Sequence, residues 1–303
     1  MSERSASQVA RSSAELAPIR PLLGIAFMCL AGTIFPIMNG LAKWMSASYS
    51  SEQVVWARTL SHLLLVLAVL TPRYGLGILA TRRPTVQLAR SCMLLASTFL
   101  FFSALKFIPV AQAAAISFIA PLIVVLLAGP MLGERVSLGR VLAVLFGFFG
   151  VLIVIRPGSS VFQWASLFVL GSASCYAVYQ LLTRLVAGVD KPETSVVYSA
   201  LVGSVILSLL VPWFWQSPER WLDVVLLCSL GALGAAGHYC VARALSYAPA
   251  NFVSPFHYWQ MVGSVAVGYW LFGDLPDTYT WLGSALIIGA GLYVGLRSGR
   301  SEK

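Results

Sequence analysis

The chain has 303 residues, of which 58% are hydrophobic and only 10% charged, and its mean hydropathy is +0.83. A soluble domain carries roughly a quarter charged residues, so a water-soluble globule is excluded. The net charge of +9 sits mostly in short loops, where it fits orientation in a bilayer rather than contact with nucleic acid. Apolar runs recur along the whole length, many of them near the ~20 residues that a helical span needs. Outer-membrane barrels show short alternating segments instead, so the expected class is an all-α polytopic membrane protein.

The first twenty residues are polar, read as a tail, and lead into an ordinary span without a cleavage-site pattern. Ten spans follow, at roughly 21–42, 53–71, 87–107, 110–131, 138–155, 163–183, 194–215, 222–245, 250–272 and 280–297. Span one offers Asn39 and Thr33, and a buried amide in lipid needs a partner. Span two carries Arg58 and His62, four apart and so on one helix face. An intramembrane charge marks a functional site by default, although a residue this near the span's start also fits snorkelling to the interface. His62 lies deeper, where a histidine serves either a substrate or a packing hydrogen bond. Span three adds Phe101, Phe102 and Ser103, and span four Gln112, Ser117 and Phe118 ahead of a kink at Pro121.

Span six places Tyr176 and Tyr179 on one face, with Gln180 alongside. Span eight carries His238, Tyr239 and Arg243, the last read as an interface anchor. Span nine opens Asn251-Phe252-Val253-Ser254-Pro255-Phe256-His257-Tyr258-Trp259-Gln260, the densest polar and aromatic knot in any span. Rings beside hydrogen-bonding groups suit a flat heterocycle or an aromatic side chain, so His257, Tyr258 and Gln260 are expected to face a cavity. Spans five and ten are Gly-rich and nearly without polar groups, and look like scaffold helices that also offer a homodimer contact. Five cysteines (Cys29, Cys92, Cys175, Cys228 and Cys240) all fall in apolar runs without paired spacing, so no disulfide or metal site is implied.

Two stretches echo each other at an offset of 140 residues. Ala104-Leu105 meets Ala244-Leu245, Pro109 meets Pro249, Gly133-Glu134 meets Gly273-Asp274, and, after a one-residue slip in the loop, Arg156-Pro157-Gly158 meets Arg297-Ser298-Gly299. Such self-similarity is the mark of a duplication. The expected organisation is a tail at 1–20, five-helix repeats at 21–158 and 159–299, and a short tail at 300–303. Glu134 and Asp274 each follow a Gly at the turn into the next span and are expected to cap helix N-termini, as are Glu52 and Glu193.

With the N-terminus inside, fifteen basic residues fall in inner segments: Arg4, Arg11, Arg20, Arg73, Arg82, Arg83, Arg90, Arg135, Arg140, Arg184, Lys191, Arg243, Arg297, Arg300 and Lys303. Four fall outside, at Lys43, Lys106, Arg156 and Arg220. This asymmetry puts both termini in the cytoplasm and makes the inner (plasma) membrane the expected location. Five spans per half then force the halves to lie inverted, a plan common among secondary transporters with a site at the repeat interface.

The chain resembles the drug/metabolite transporter superfamily, specifically its ten-span EamA branch. The carrying residues are Trp56-Ala57-Arg58, the run from Ala104 to Ala113, Ala120-Pro121-Leu122, Leu132-Gly133-Glu134, and Gly147 through Gly158. The resemblance covers nearly everything from span one to span ten, and its texture is similar to subgroups that move riboflavin or S-adenosylmethionine and, more distantly, to amino-acid exporters. It implies a basket of spans one to four and six to nine around a central cavity, with spans five and ten as outer struts.

No GxxxxGK[ST] loop occurs, so the driving force is a gradient such as a proton's, an exchanged solute, or a partner chain. No paired carboxylates or nucleophile support an enzyme, and no cofactor is expected. The leading reading is a secondary carrier of a small organic metabolite, with Arg58, His62, Asn39, His238, Tyr239, His257, Tyr258, Gln260, Tyr176, Tyr179 and Phe101 as candidate substrate contacts. A membrane-embedded enzyme and a passive channel or receptor are the alternatives.

Overall fold

A computed structural model describes residues 21–132, 138–159, 163–186, 189–190, 192–247 and 254–298. Among them are eleven α-helices and three short 3-10 turns, with no strand. The α-helices are α1 (Pro21–Met45), α2 (Ser51–Tyr74), α3 (Pro84–Leu105), α4 (Val110–Ser117), α5 (Ala120–Leu132) and α6 (Leu138–Ile155). They continue with α7 (Ala165–Val186), α8 (Pro192–Leu210), α9 (Trp221–Tyr247), α10 (Trp259–Phe272) and α11 (Thr278–Ser298). Seven apolar segments are long enough to cross a membrane, and α6 and α11 contribute shorter apolar stretches.

Local chemistry explains the breaks. Span four divides into α4 and α5 at Phe118–Ile119, just before Pro121. That proline has no N–H to return to Ser117, so the chain bridges the gap with 3-10-type bonds from Ile119 N to Ile116 O and from Leu122 N to Ile119 O. Span nine begins as a 3-10 turn, Ser254–Tyr258, with Pro255 in its second position, and becomes α-helical only at Trp259. The knot expected on one continuous helix is therefore split between two geometries. Asn251 to Val253, Glu134 and Pro249 lie outside the described residues.

Eight spans close into a ring. Each packs on the next in the order α1, α9, α2, α8, α3, α7, the α4–α5 pair, α10, and back to α1. Spans five and ten, α6 and α11, pack on each other outside the ring and touch it through α4, α5 and the 3-10 turn at Ser254–Tyr258. Exchanging spans one to five for spans six to ten, in order, maps the ring order onto itself. The α6–α11 contact is tight because Gly150 and Gly283 face each other's backbone. A Cβ on Gly150 would lie 2.8 Å from the Gly283 carbonyl oxygen, and one on Gly283 would lie 2.5 Å from that of Gly150. These glycines work within the chain, while Gly139 and Gly289 line an apolar cleft of about 420 Å³ between the two helices. The outward faces carry Leu145, Phe146, Phe149 and Leu282, all exposed, as bilayer-facing helices should.

The loops gather at two ends. At the end of the α1–α2 loop, Lys43 Nζ donates to the Ile108 carbonyl at 2.9 Å and pairs with Asp274 at 3.3 Å. Lys106 reaches the Tyr49 carbonyl, the Tyr49 hydroxyl donates to Asp223, and Gln53 exchanges two hydrogen bonds with Gln216. Burial, with the acceptor Asp223 alongside, pushes the Tyr49 phenol's pKa up. Lys43 is thus not a free loop cation but the last-turn residue of α1, bound across the ring. Asp274 does not cap α11. The cap is Asp277, which accepts from the Thr280 N–H and hydroxyl and pairs with Arg156. Asp274 closes the latch with Lys43 instead. At α2 the cap is Ser50, accepting from the Gln53 N–H, with Glu52 in the first turn beside it.

Candidate functional site

The polar residues picked from the spans form three groups. The first lies inside the ring where α1, α2, α3 and α9 meet. Arg58 is 8% exposed, and its Nη1 reaches the Thr98 hydroxyl of α3 at 3.5 Å while its guanidinium sits 5.7 Å from the Phe102 ring centre. His62, one turn on, stacks on His238 of α9 with ring centres 6.3 Å apart and planes 18° from parallel. Phe35 of α1 meets His238 edge-on at 5.3 Å. Asn39 is buried on α1 next to Met38, whose sulfur closes on Gly234 near the guanidinium.

Glycine makes this group possible. A Cβ on Gly231 of α9 would meet the Ser61 hydroxyl and the His62 N–H, and would lie 2.7 Å from the Arg58 carbonyl oxygen. Without one, α9 rests on the backbone of α2, which brings His238 level with His62. Among the described residues neither imidazole makes a hydrogen bond, so both offer free nitrogens to whatever enters.

The second group joins the α4–α5 break to the start of span nine. Phe118 meets His257 edge-on at 6.4 Å and Tyr258 edge-on at 5.1 Å. The Tyr258 hydroxyl sits against Gly291 of α11, in space a larger residue would fill. Gln260 is half-buried at the start of α10, where its backbone N–H lies against Gly32 of α1. Helix interruptions flank this group on both sides, at Phe118–Ile119 and at the Ser254–Tyr258 turn.

The third group sits towards the end that carries the α2–α3 loop. Tyr176 and Tyr179 stack at 5.6 Å, and Arg90 lies 5.0 Å over the Tyr179 ring. Arg90 is fully enclosed. It donates to Gln87 Oε1 at 3.2 Å, to the Tyr179 and Thr183 hydroxyls at 3.3 Å each, to the Ser199 hydroxyl at 2.8 Å, and to the Ser195 carbonyl. Asp190 finishes this end, accepting from the Thr81 hydroxyl, the Arg82 N–H and Gln87. Burial pushes the Asp190 carboxyl up, but those three bonds and the nearby Arg82 charge outweigh it and hold its pKa below the usual range.

Three expectations change in detail. Tyr239 joins none of the groups, since it is 60% exposed on the outside of α9. Phe101 is half-buried against Phe102 at 6.3 Å, one ring removed from Arg58. Arg90 is no loop cation but a buried residue of α3. It, Phe35 and Thr98 were missed. For Arg90 a signal existed, namely Gln87 three residues earlier on the same face. Among the described residues no group of three His, Cys, Asp or Glu side chains could hold a metal ion.

The sequence profile of the EamA-like transporter family matches residues 22–156 and again 163–296. A riboflavin transporter of Vibrio cholerae serotype O1 is 30% identical over 272 residues, covering 88% of this chain and 91% of its own. An S-adenosylmethionine uptake transporter of Rickettsia prowazekii is 25% identical over 273 residues, covering 90% and 92%. A pseudopaline exporter of Pseudomonas aeruginosa is 27% identical over 281 residues, covering 88% and 94%. One solved crystal structure superposes with a TM-score of 0.61 at 21% identity, covering 91% of this chain and 99% of the other, and so shares the fold.

Proposed function

We propose, from the premise that this chain belongs to the EamA-like transporter family, that it is a secondary carrier moving a small organic metabolite through the eight-helix ring by alternating access. The observation that carries this reading is the convergence of Arg58, His62 and His238 from two helices inside the ring, with no hydrogen bond to either imidazole among the described residues. A scaffold without a ligand gains nothing from such a group, because polar side chains away from water are costly until paired. The relatives transport riboflavin or take up S-adenosylmethionine by name. The substrate classes to test are therefore a riboflavin-like heterocycle, S-adenosylmethionine and amino acids. Phe35, Phe102, Phe118 and Tyr258 supply ring faces and edges for a flat group.

The neighbour order of the ring supports two inverted five-helix repeats, 21–158 and 159–299, rocking about the contacts they share. The loop charges support a cytoplasmic side at the α2–α3 end, both termini inside, in the inner membrane. Energy comes from a proton or an exchanged solute. A homodimer through spans five and ten would use Gly139 and Gly289, since Gly150 and Gly283 are spent within the chain.

Counterflow in sealed proteoliposomes tests the carrier. Vesicles preloaded with each candidate in turn are expected to show saturable uptake of its labelled form. His238→Phe keeps the ring contact with Phe35 but removes both nitrogens, and is expected to lower that uptake about tenfold, the worth of one or two hydrogen bonds. A product chemically different from the loaded compound would make the protein an enzyme. Non-saturable flux would make it a channel.

A further inference from the structure

Two arginines are buried in the membrane-spanning part of this protein, and the fold treats them differently. Arg90 is 1% exposed and every nitrogen of its guanidinium donates, five partners in all, none of them charged. Arg58 is also buried, at 8% exposed, yet has one long hydrogen bond, to Thr98 at 3.5 Å, and its Nε is buried without a partner among the described residues. Among the described residues no carboxylate answers it. The only ion pairs among the described residues are Lys43 with Asp274 and Arg156 with Asp277, both at the α1–α2 loop end. Every described acidic residue, Glu52, Asp190, Glu193, Glu219, Asp223, Asp274 and Asp277, lies in a loop or a first helical turn.

The surroundings leave the guanidinium without the partners that it needs. Gly234 presents only backbone to it, since even an added Cβ would stop 3.6 Å from Nε. Phe102 offers a ring face, and His62 and His238 stand beside it with free nitrogens. A guanidinium is a planar fork of donors that matches the two oxygens of a carboxylate, and it cannot shed its charge as a lysine can. An arginine in this state is complete only when something else brings the anion.

We infer that Arg58 receives the carboxylate of the transported molecule, so that the substrate is a carboxylate-bearing zwitterion with a flat or apolar body rather than an uncharged heterocycle. This rests on the carrier reading above and narrows its substrate class. Of the candidates, amino acids and S-adenosylmethionine carry the group and riboflavin does not. Thr98 holds the Nη1 edge, Phe102 and Phe35 flank the body, and the paired imidazoles accept or donate to the polar remainder. Arg90, already saturated, holds α3, α7 and α8 together.

The test is thermal unfolding of the purified full-length protein with matched ligand pairs: tryptophan against tryptophanamide, phenylalanine against phenylalaninamide, and S-adenosylmethionine against riboflavin. Wild-type protein is expected to be stabilised by the carboxylate member of at least one pair and at least tenfold less sensitively by its partner. Arg58→Met keeps the side chain's length and is expected to abolish that preference. Because it removes an unpaired buried charge, it should leave the ligand-free Tm unchanged or raise it, whereas Arg90→Met should lower it. A ligand-free Tm that falls in Arg58→Met as it does in Arg90→Met would make Arg58 a structural residue and overturn the inference. So would equal response, or none, to both members of every pair. Saturable counterflow of riboflavin that survives Arg58→Met would leave the carrier standing and remove the anion site. Arg58-dependent carboxylate binding without counterflow would do the reverse.

Discussion

At the scale of single residues, polar groups divide by whether the chain itself satisfies them. The third group around Arg90, Gln87 and Asp190 is saturated, and its titration can be predicted. The Asp190 carboxyl has its pKa held below the ordinary value, so the ionised form is favoured by folding. That stabilisation is complete above about pH 4, where an unfolded aspartate is already charged, and is lost as pH falls through the folded pKa below it. The pH–Tm curve should therefore be flat on this account from neutrality down to about pH 4 and fall beneath it. Asp190→Asn should lower Tm at pH 7 and flatten the acid limb. An acid limb as steep as the wild type's would assign it to other carboxylates. The sequence showed Arg58, His62 and His238 as polar residues in apolar runs, which is the strongest signal a membrane span gives. It did not show their partners. Thr98 and Phe35 are unremarkable on their own helices and matter only because α1 and α3 approach α2 and α9. Arg90 was misread for the opposite reason: its place near the start of a span looked like a loop charge.

Elements were legible wherever composition alone decides them. Spans one, two, three, five, six, seven, eight and ten fall within a few residues of the observed helices. Spans four and nine differ, because there the helix depends on what a proline does to its neighbours, and periodicity carries no sign of a 3-10 turn. The contacts between elements rest on glycines whose roles the sequence could not assign. Gly231 and Gly289 make the contrast. Gly231→Ala puts a methyl into the Arg58–His62 backbone, so α9 must retreat from α2, at a cost of about 2 kcal/mol for an overpacked contact. It should lower Tm and transport together, because His238 moves with α9. Gly289 has nothing within 4 Å of an added Cβ, and Gly289→Ala should match wild type in both measurements. Helix propensity favours Ala over Gly, so equal loss in the two variants could not come from it and would mean that the close approach at Gly231 is not what sets the cost.

For the whole molecule, the proposed carrier cycle would turn on which end of the ring is held shut. At the α1–α2 loop end the fastening spans several loops: Lys43 to Ile108 and Asp274, Lys106 to Tyr49, Tyr49 to Asp223, and Gln53 to Gln216. Lys43 is central because it alone bonds both the α3–α4 and the α10–α11 loops, and its charge also lies 4.8 Å over the Phe272 ring. None of this was readable from Lys43 as a loop cation, since its partners lie 65 and 231 residues away. If the latch holds this end closed, removing it should shift the population of open forms without unfolding the ring. A half-exposed ion pair with one carbonyl bond contributes about 1 kcal/mol, or about a fivefold change in an opening equilibrium. Lys43→Met is therefore expected to speed amide hydrogen exchange about fivefold in residues 106–109 and 273–277. Exchange at 81–90, fastened by Asp190 and Arg90 at the other end, should stay the same or slow as the ring tips the other way. Faster exchange at both ends would mean that Lys43 supports the whole bundle. No change at either end would put the closure in the apolar contacts of Met45 and Tyr49 rather than in the charge.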